Sequence, residues 1–182
     1  MTSNLFDLSN KVALITGSSK GIGRAIAEEM ARHGAKVVIS SRKADICEEV
    51  ANAINIEVAA DASNSTGGAV AIPANISHKE ELQRLVDTTR EKLGKIDILI
   101  CNAAVNPFYG SMQDLPDEAF DKILGVNIKS NHWLVNMVLP EMKERKDGAI
   151  IIVSSIGGLR GSPVLGAYCI SKAADLQLVR NL

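Results

Sequence analysis

Short apolar runs and longer amphipathic stretches alternate along the whole chain. KVALIT is followed by GIGRAIAEEMARHG, KVVIS by ADICEEVANAI, and AVAIP by HKEELQRLVDTTREKLG. The pattern goes on through KIDILI, a long segment from about Asp117 to Arg145 read as one helix, the run AIIIVS, and a last helical stretch beginning near Ala167. Such alternation is the mark of βα units around a parallel sheet. It predicts an α/β fold of five strands and about as many helices, in one domain over residues 1–182.

Spacing sharpens the individual elements. Leu82, Leu85, Val86, Thr89 and Leu93 recur at three and four residues, which lays one apolar stripe along a helix. Ser77 precedes it as the expected N-cap, with Glu80 at the capping-box distance. Gly34 and Gly94 stand where a glycine closes a helix. The runs Val12 to Ile15 and Ile150 to Val153 are apolar at every position, as strands covered by helices on both sides are. NIEVAADASNSTGG, residues 55–68, breaks the alternation and reads as an extended surface loop.

Composition narrows the function classes. The chain is 46% hydrophobic and 23% charged, the balance of a soluble globular protein, and no apolar run reaches the length of a membrane-spanning helix. A formal net charge of -1 with scattered basic residues argues against nucleic acid or an anionic membrane as a partner. Cys47, Cys101 and Cys169 form no C-x-x-C pair, and His33, His78 and His132 hold no metal-ligand spacing, so no metal is expected. The start MTSNLFDLSNK lacks the pattern of a secretory leader, and the expected location is cytoplasmic.

Chemistry enters with TGSSKGIG, residues 16–23, between the first apolar run and the first helix. Glycines there let the backbone turn tightly against a pyrophosphate, and the helix N-terminus offers it unpaired N–H groups. Gly17, Gly21 and Gly23 have those places, with Ser19, Lys20 and Ile22 between them. The spacing T-G-x-x-x-G-x-G resembles that of the short-chain dehydrogenase/reductase family, whose fold is a Rossmann-type doubly wound parallel sheet. CNAA, residues 101–104, resembles the family's Asn-Asn-Ala-Gly segment, departing at Cys101 and Ala104. The resemblance implies that Asn102 and Ala103 brace the sheet and line the cleft for a nicotinamide cofactor.

The end of the second strand bears on which cofactor that is. A carboxylate there accepts from the ribose hydroxyls of NAD, whereas a cation pairs with the additional phosphate of NADP. VVISSRK carries Ser41 and Arg42 at this point, and Lys20 sits just before the second glycine of the turn. NADP(H) is therefore expected, with NAD(H) the alternative. Asn75 and Ile76, in PANIS, resemble the segment that borders the adenine in the family.

AIIIVSSIGG places two serines at the end of the fifth strand, where open α/β sheets expose their chemistry. Downstream, YCISK sets Tyr168 and Lys172 on one helical face, where an ammonium eases the exchange of a phenol proton. Ser155 lies thirteen residues before Tyr168, the separation usual in the family. The resemblance implies a hydride exchange between nicotinamide and a carbonyl or alcohol substrate. Tyr168 is then the general acid/base, Ser155 hydrogen-bonds the carbonyl oxygen, and Lys172 assists Tyr168 and anchors the nicotinamide ribose. By the same resemblance Asn127 is expected to hold a water that relays protons to the lysine. Asn131 and Asn136, on the same helix, are expected to be structural.

Phe108, Tyr109 and Met112 in VNPFYGSM suggest either an apolar part of the substrate or packing of the loop itself. A ketone, an aldehyde and a 3-oxoacyl thioester all remain open. Relatives in the family run to roughly 250 residues, so the resemblance implies an incomplete sequence that lacks the last strands of the family fold. It also implies a homo-oligomer, dimer or tetramer. Two other readings stay open: an NAD-linked alcohol dehydrogenase, and a shortened, non-catalytic nucleotide-binding protein.

Overall fold

A computed structural model of the chain describes residues 5–60 and 66–182. Five strands, β1 (Val12–Thr16), β2 (Lys36–Ser40), β3 (Gly68–Ala71), β4 (Ile98–Cys101) and β5 (Ala149–Ile152), form one sheet in the order β3-β2-β1-β4-β5. All four pairings are parallel, and β1, at the centre, meets β2 from Val12↔Lys36 and β4 from Ala13↔Ile98. The helices are α1 (Gly21–Arg32), α2 (Ala44–Ala60), α3 (Lys79–Leu93), α4 (Asp117–Leu124), α5 (Ser130–Arg145) and α6 (Gly166–Arg180).

Strand periodicity divides the core in two. Ala13, Ile15, Val37, Ile39, Ile98 and Ile100 point to the face covered by α1 and α2. Leu14, Val38, Leu99 and Cys101 point to the other, against Leu82, Leu85 and Val86 of α3 and Leu134, Val135 and Val138 of α5. Continuous apolar runs are what such two-sided burial demands. The expectation holds for β1, buried at every position, and fails for β5, where Ile151 is 48% exposed. β5 ends the sheet, and its Ile150 and Ile152 pack only partly against the α3 and α5 face.

Three local readings change. Residues 55–60 of the expected loop are the last turns of α2, where Ile54 and Val58 continue a buried stripe; residues 61–65 of it lie outside the described residues. Ser77 does not cap α3: the N-cap is His78, whose side chain makes no capping bond, and Glu80 is exposed. Instead Asn75 accepts the Ser77 N–H at 3.1 Å, while Glu81 reaches back to accept the Asn75 N–H at 2.8 Å. The segment Asp117 to Arg145 is interrupted by a π-helical turn, Gly125–Lys129, with Asn127 at its middle. Wide turns of this kind concentrate at functional sites. Gly34 and Gly94 follow α1 and α3 with φ of +93° each, as expected.

Candidate active site

The C-terminal ends of β1, β2 and β4 open into a cleft of about 710 Å³. It is lined by Gly17, Ser19, Lys20, Gly21 and Ile22 of the first turn, by Ser41 and Arg42 after β2, by Asn75 and Ile76, and by Asn102 and Ala103 after β4. Eleven residues singled out from the sequence thus border a single space. Lys43, Ala104, Val105, Lys122 and Val126 border it too, and sequence reasoning did not name them as site residues. Lys43 merely extends the Ser41-Arg42 signal, but Lys122 comes from α4, far along the chain.

Close packing explains the turn. Gly17 takes φ of +66°, a left-handed conformation that strains other residues. Gly23 lies behind the cleft wall, buried in α1; a Cβ there would collide with the Gly17 carbonyl oxygen and stand 2.5 Å from Asn102 Nδ2. Asn102 donates through Nδ2 to the carbonyls of Thr16 and Gly17, at 3.0 and 3.2 Å. Thr16 Oγ1 in return accepts the N–H groups of Asn102 and Ala103, both at 3.1 Å. The turn after β1 and the loop after β4 are therefore one hydrogen-bonded unit, and Thr16 is a part of it that the sequence did not reveal.

Charge in the cleft has one sign. Lys20, Arg42, Lys43 and Lys122 line it, no carboxylate does, and none of the four cations forms an ion pair among the described residues. Asn75 borders the same space with its side-chain oxygen already accepting from Ser77, which leaves its NH₂ group available.

Ser155, Tyr168, Lys172 and Asn127 stand beside the cleft rather than in its lining. Tyr168, half-buried on α6, borders a small pocket with Phe108, Met112 and Leu165, while Tyr109 is 75% exposed and does not join them. Ser155 caps a short 3-10 turn, its Oγ accepting the Gly157 N–H at 3.1 Å. That bond uses an acceptor site of the hydroxyl and leaves its O–H free to donate. Ser154 donates to the Lys172 carbonyl at 2.9 Å and has its proton committed. Lys172 is buried with Nζ 5.8 Å from the centre of the Tyr168 ring. Its ammonium donates to the Val153 carbonyl and to Asp175 Oδ2, both at 2.9 Å.

Asn127 is wholly buried, and its side chain ties two segments together. Oδ1 accepts the Val105 N–H at 2.8 Å, and Nδ2 donates to the Val105 carbonyl and to Ser171 Oγ, each at 3.0 Å. Its carbonyl accepts from Asn131 Nδ2 at 2.9 Å, and the same amide reaches Asp175 Oδ1 at 2.9 Å. Asn131, expected to be structural only, joins the Lys172 network; Asn136 meets exposed His132 instead.

The sequence profile of the family described as short chain dehydrogenase matches residues 11–182. Dehydrogenase/reductase SDR family member 4 of Bos taurus is 45% identical over 175 residues, covering 96% of this chain and 60% of that protein. Dehydrogenase/reductase SDR family member 2, mitochondrial, of Homo sapiens is 42% identical over 176 residues, 96% of this chain and 59% of the relative. Among solved structures, an alcohol dehydrogenase from the archaeon Thermococcus sibiricus complexed with 5-hydroxy-NADP superposes with a TM-score of 0.85 at 27% identity, over 94% of this chain and 69% of that one. A short-chain type dehydrogenase/reductase from Mycobacterium marinum gives a TM-score of 0.85 at 33% identity, over 97% and 67%. The chain spans about 60% of the length of the curated relatives it matches.

Proposed function

Since the chain belongs to the short chain dehydrogenase family, we propose that it is the cofactor-binding and catalytic part of an NADP(H)-dependent oxidoreductase acting on a carbonyl or secondary alcohol. The observation that carries the NADP reading is the cleft lined by Lys20, Arg42, Lys43 and Lys122 and by no carboxylate. A dianionic 2′-phosphate suits such a wall, and the ribose hydroxyls of NAD would find no acidic acceptor there. The left-handed turn at Gly17 and the start of α1 add backbone N–H groups for a pyrophosphate. The solved alcohol dehydrogenase bound to 5-hydroxy-NADP lends the reading further support.

A nicotinamide cofactor bound there would supply or take up the hydride. The chain's own residues handle the proton and the oxygen. Tyr168 gives its phenol proton to the carbonyl oxygen in reduction and recovers it in oxidation, while the free O–H of Ser155 donates to the same oxygen. Lys172 holds positive charge close to the phenol. Asn127 fixes the Val105 loop against Ser171, one turn after Tyr168 and next to Lys172. Phe108, Met112 and Leu165 beside Tyr168 favour a substrate with an apolar portion, among ketones, aldehydes and 3-oxoacyl thioesters.

A cytoplasmic location belongs to the proposal, supported by three buried cysteines without a disulfide. So does association into a homo-oligomer, supported by the half-exposed Ile151, Ile170 and Val179. No helix among the described residues is long and apolar enough to cross a membrane.

The test is thermal unfolding with NADPH and NADH, paired with a turnover assay on the three carbonyl classes. A ligand that binds only the folded chain raises the midpoint, so NADPH is expected to raise it more than NADH. Tyr168→Phe is expected to abolish turnover and keep the NADPH shift. Equal stabilisation by both cofactors would refute the phosphate reading, and turnover by the Phe variant would refute the role of Tyr168.

A further inference from the structure

Behind Tyr168 lies a buried polar chain that the proposed reaction has not so far used. Asp175, 1% exposed, sits one turn beyond Lys172 on α6 and takes its ammonium on Oδ2 at 2.9 Å. Its other oxygen accepts the amide of Asn131, 2% exposed, at 2.9 Å, and that amide is fixed in turn on the carbonyl of Asn127. From the opposite side the Val153 carbonyl, just past β5, holds the ammonium at 2.9 Å. A buried carboxylate is costly to desolvate unless its oxygens are paired, and here both are. An ammonium has three N–H donors, so these two acceptors leave one free for another partner.

We propose that Asp175, braced by Asn131, is a positioning residue that holds the Lys172 ammonium fixed between β5 and α6 and tempers its field at Tyr168. This rests on the reading of Lys172 and Tyr168 as the working pair. Placement follows from geometry: with acceptors on two sides, Nζ cannot swing away from its place 5.8 Å from the ring centre. Tempering follows from charge, because the carboxylate cancels part of the positive potential that reaches the phenol. Two buried thiols stand near the pair, Cys169 between Tyr168 and Lys172 on α6 and Cys101 of β4, which both Asp175 and Lys172 reach electrostatically. The Cys101 thiol is pushed up to about 12, by burial first and then by Asp175, so it is neutral beside the carboxylate. Asn131 of α5 and the Asn127 carbonyl complete the surroundings and carry no charge.

Two readouts test the proposal. In the full chain labelled with ¹⁵N-lysine, Lys172 is expected to give a slowly exchanging ammonium signal near pH 6, assigned by its loss in Lys172→Met. Asp175→Asn should broaden or shift that signal, and Asp175→Glu should restore it in part. In oxidation with NADP⁺ and a panel of secondary alcohols, Asp175→Asn removes a negative charge near the phenol. The rising limb of its pH–rate profile should therefore move about one pH unit lower, a tenfold change in rate on that limb. A variant that only loosened the fold would lower the rate without moving the limb. A lysine signal that is absent in the wild type, or unchanged by Asp175→Asn, overturns the proposal even if no alcohol turns over. Absence of turnover with a normal lysine signal overturns only the functional reading. Should Asp175→Asn fail to fold, Asn131→Ala removes the outer brace alone, and an unaltered lysine signal in that variant also overturns the inference.

Discussion

Replacing Thr16 by Val tests the seam between the first turn and the β4 loop. The side chain is 1% exposed, and Oγ1 accepts two N–H groups, from Asn102 and Ala103. Valine keeps the shape and the strand preference, so little cavity forms and the loss is one of hydrogen bonding. Each donor left without a partner costs roughly 1–3 kcal/mol when fully buried. Both residues are only part-buried, so some donor hydration is recovered, and the expected net loss is about 2 kcal/mol. For a chain of this size that corresponds to a fall in Tm of roughly 4–8 °C. Thr16→Ser is the control: it keeps the hydroxyl, loses one methyl, and should cost no more than about 1 kcal/mol. Urea unfolding followed by circular dichroism, with an unchanged slope, gives the difference. If the Val variant stays within about 0.5 kcal/mol of wild type, or the Ser variant is as unstable as the Val variant, the hydroxyl is not what joins the two segments.

Gly23→Ala gains helix propensity of about 1 kcal/mol but places a methyl on the Gly17 carbonyl and the Asn102 amide, so the turn must shift; NADPH affinity by calorimetry should fall at least tenfold. The three cysteines should be unreactive toward a thiol reagent at pH 8 until the chain unfolds, since Cys47, Cys101 and Cys169 are buried and burial pushes the Cys101 thiol up to about 12. Asp147 is held below the usual carboxylate range by its hydrogen bond from Lys11, and Lys11 is raised by the same bond. The lowered carboxyl contributes stability above its unfolded value near 4, lost as pH falls through the folded value. The raised ammonium contributes below its unfolded value near 10.4, lost as pH rises through the folded one. A Tm series should therefore show Asp147→Asn slightly less stable than wild type at pH 7, with the gap closing below pH 3 and in high salt.

What was legible in the sequence was mostly local. The apolar run Val12 to Ile15 of β1, the stripe Leu82, Leu85, Val86 and Thr89, and the glycine-rich turn announce themselves within a few residues. Capping was not, because Asn75 accepts from Ser77 within its own loop while Glu81 of α3 accepts the Asn75 N–H, a pattern that no capping-box spacing describes. Nor were the polar links of the site. Thr16 meets Asn102 across 86 residues, and Asn131 meets Asp175 across 44, distances over which no periodicity speaks. A signal was present all the same. Asn131 falls on the stripe that continues through Leu134, Val135, Val138 and Met142, all buried, and an amide on such a stripe must find partners. Asp175, one turn after Lys172, poses the same demand.

The π-turn explains how one asparagine serves both halves of the site. At this turn the Val126 carbonyl accepts the Ser130 hydroxyl and the Asn127 carbonyl the Asn131 amide, so side chains bond back to the backbone four residues before them. The same turn leaves the Asn127 side chain aimed at Val105, next to the cofactor cleft, and at Ser171, whose hydroxyl is bound to the Tyr168 carbonyl at 2.7 Å. Its side chain thus fixes the loop after β4 against α6, and its backbone, through Asn131 and Asp175, fixes the ammonium of Lys172. An asparagine inside a helix lowers helix stability, and at this place it registers the cleft and the lysine together.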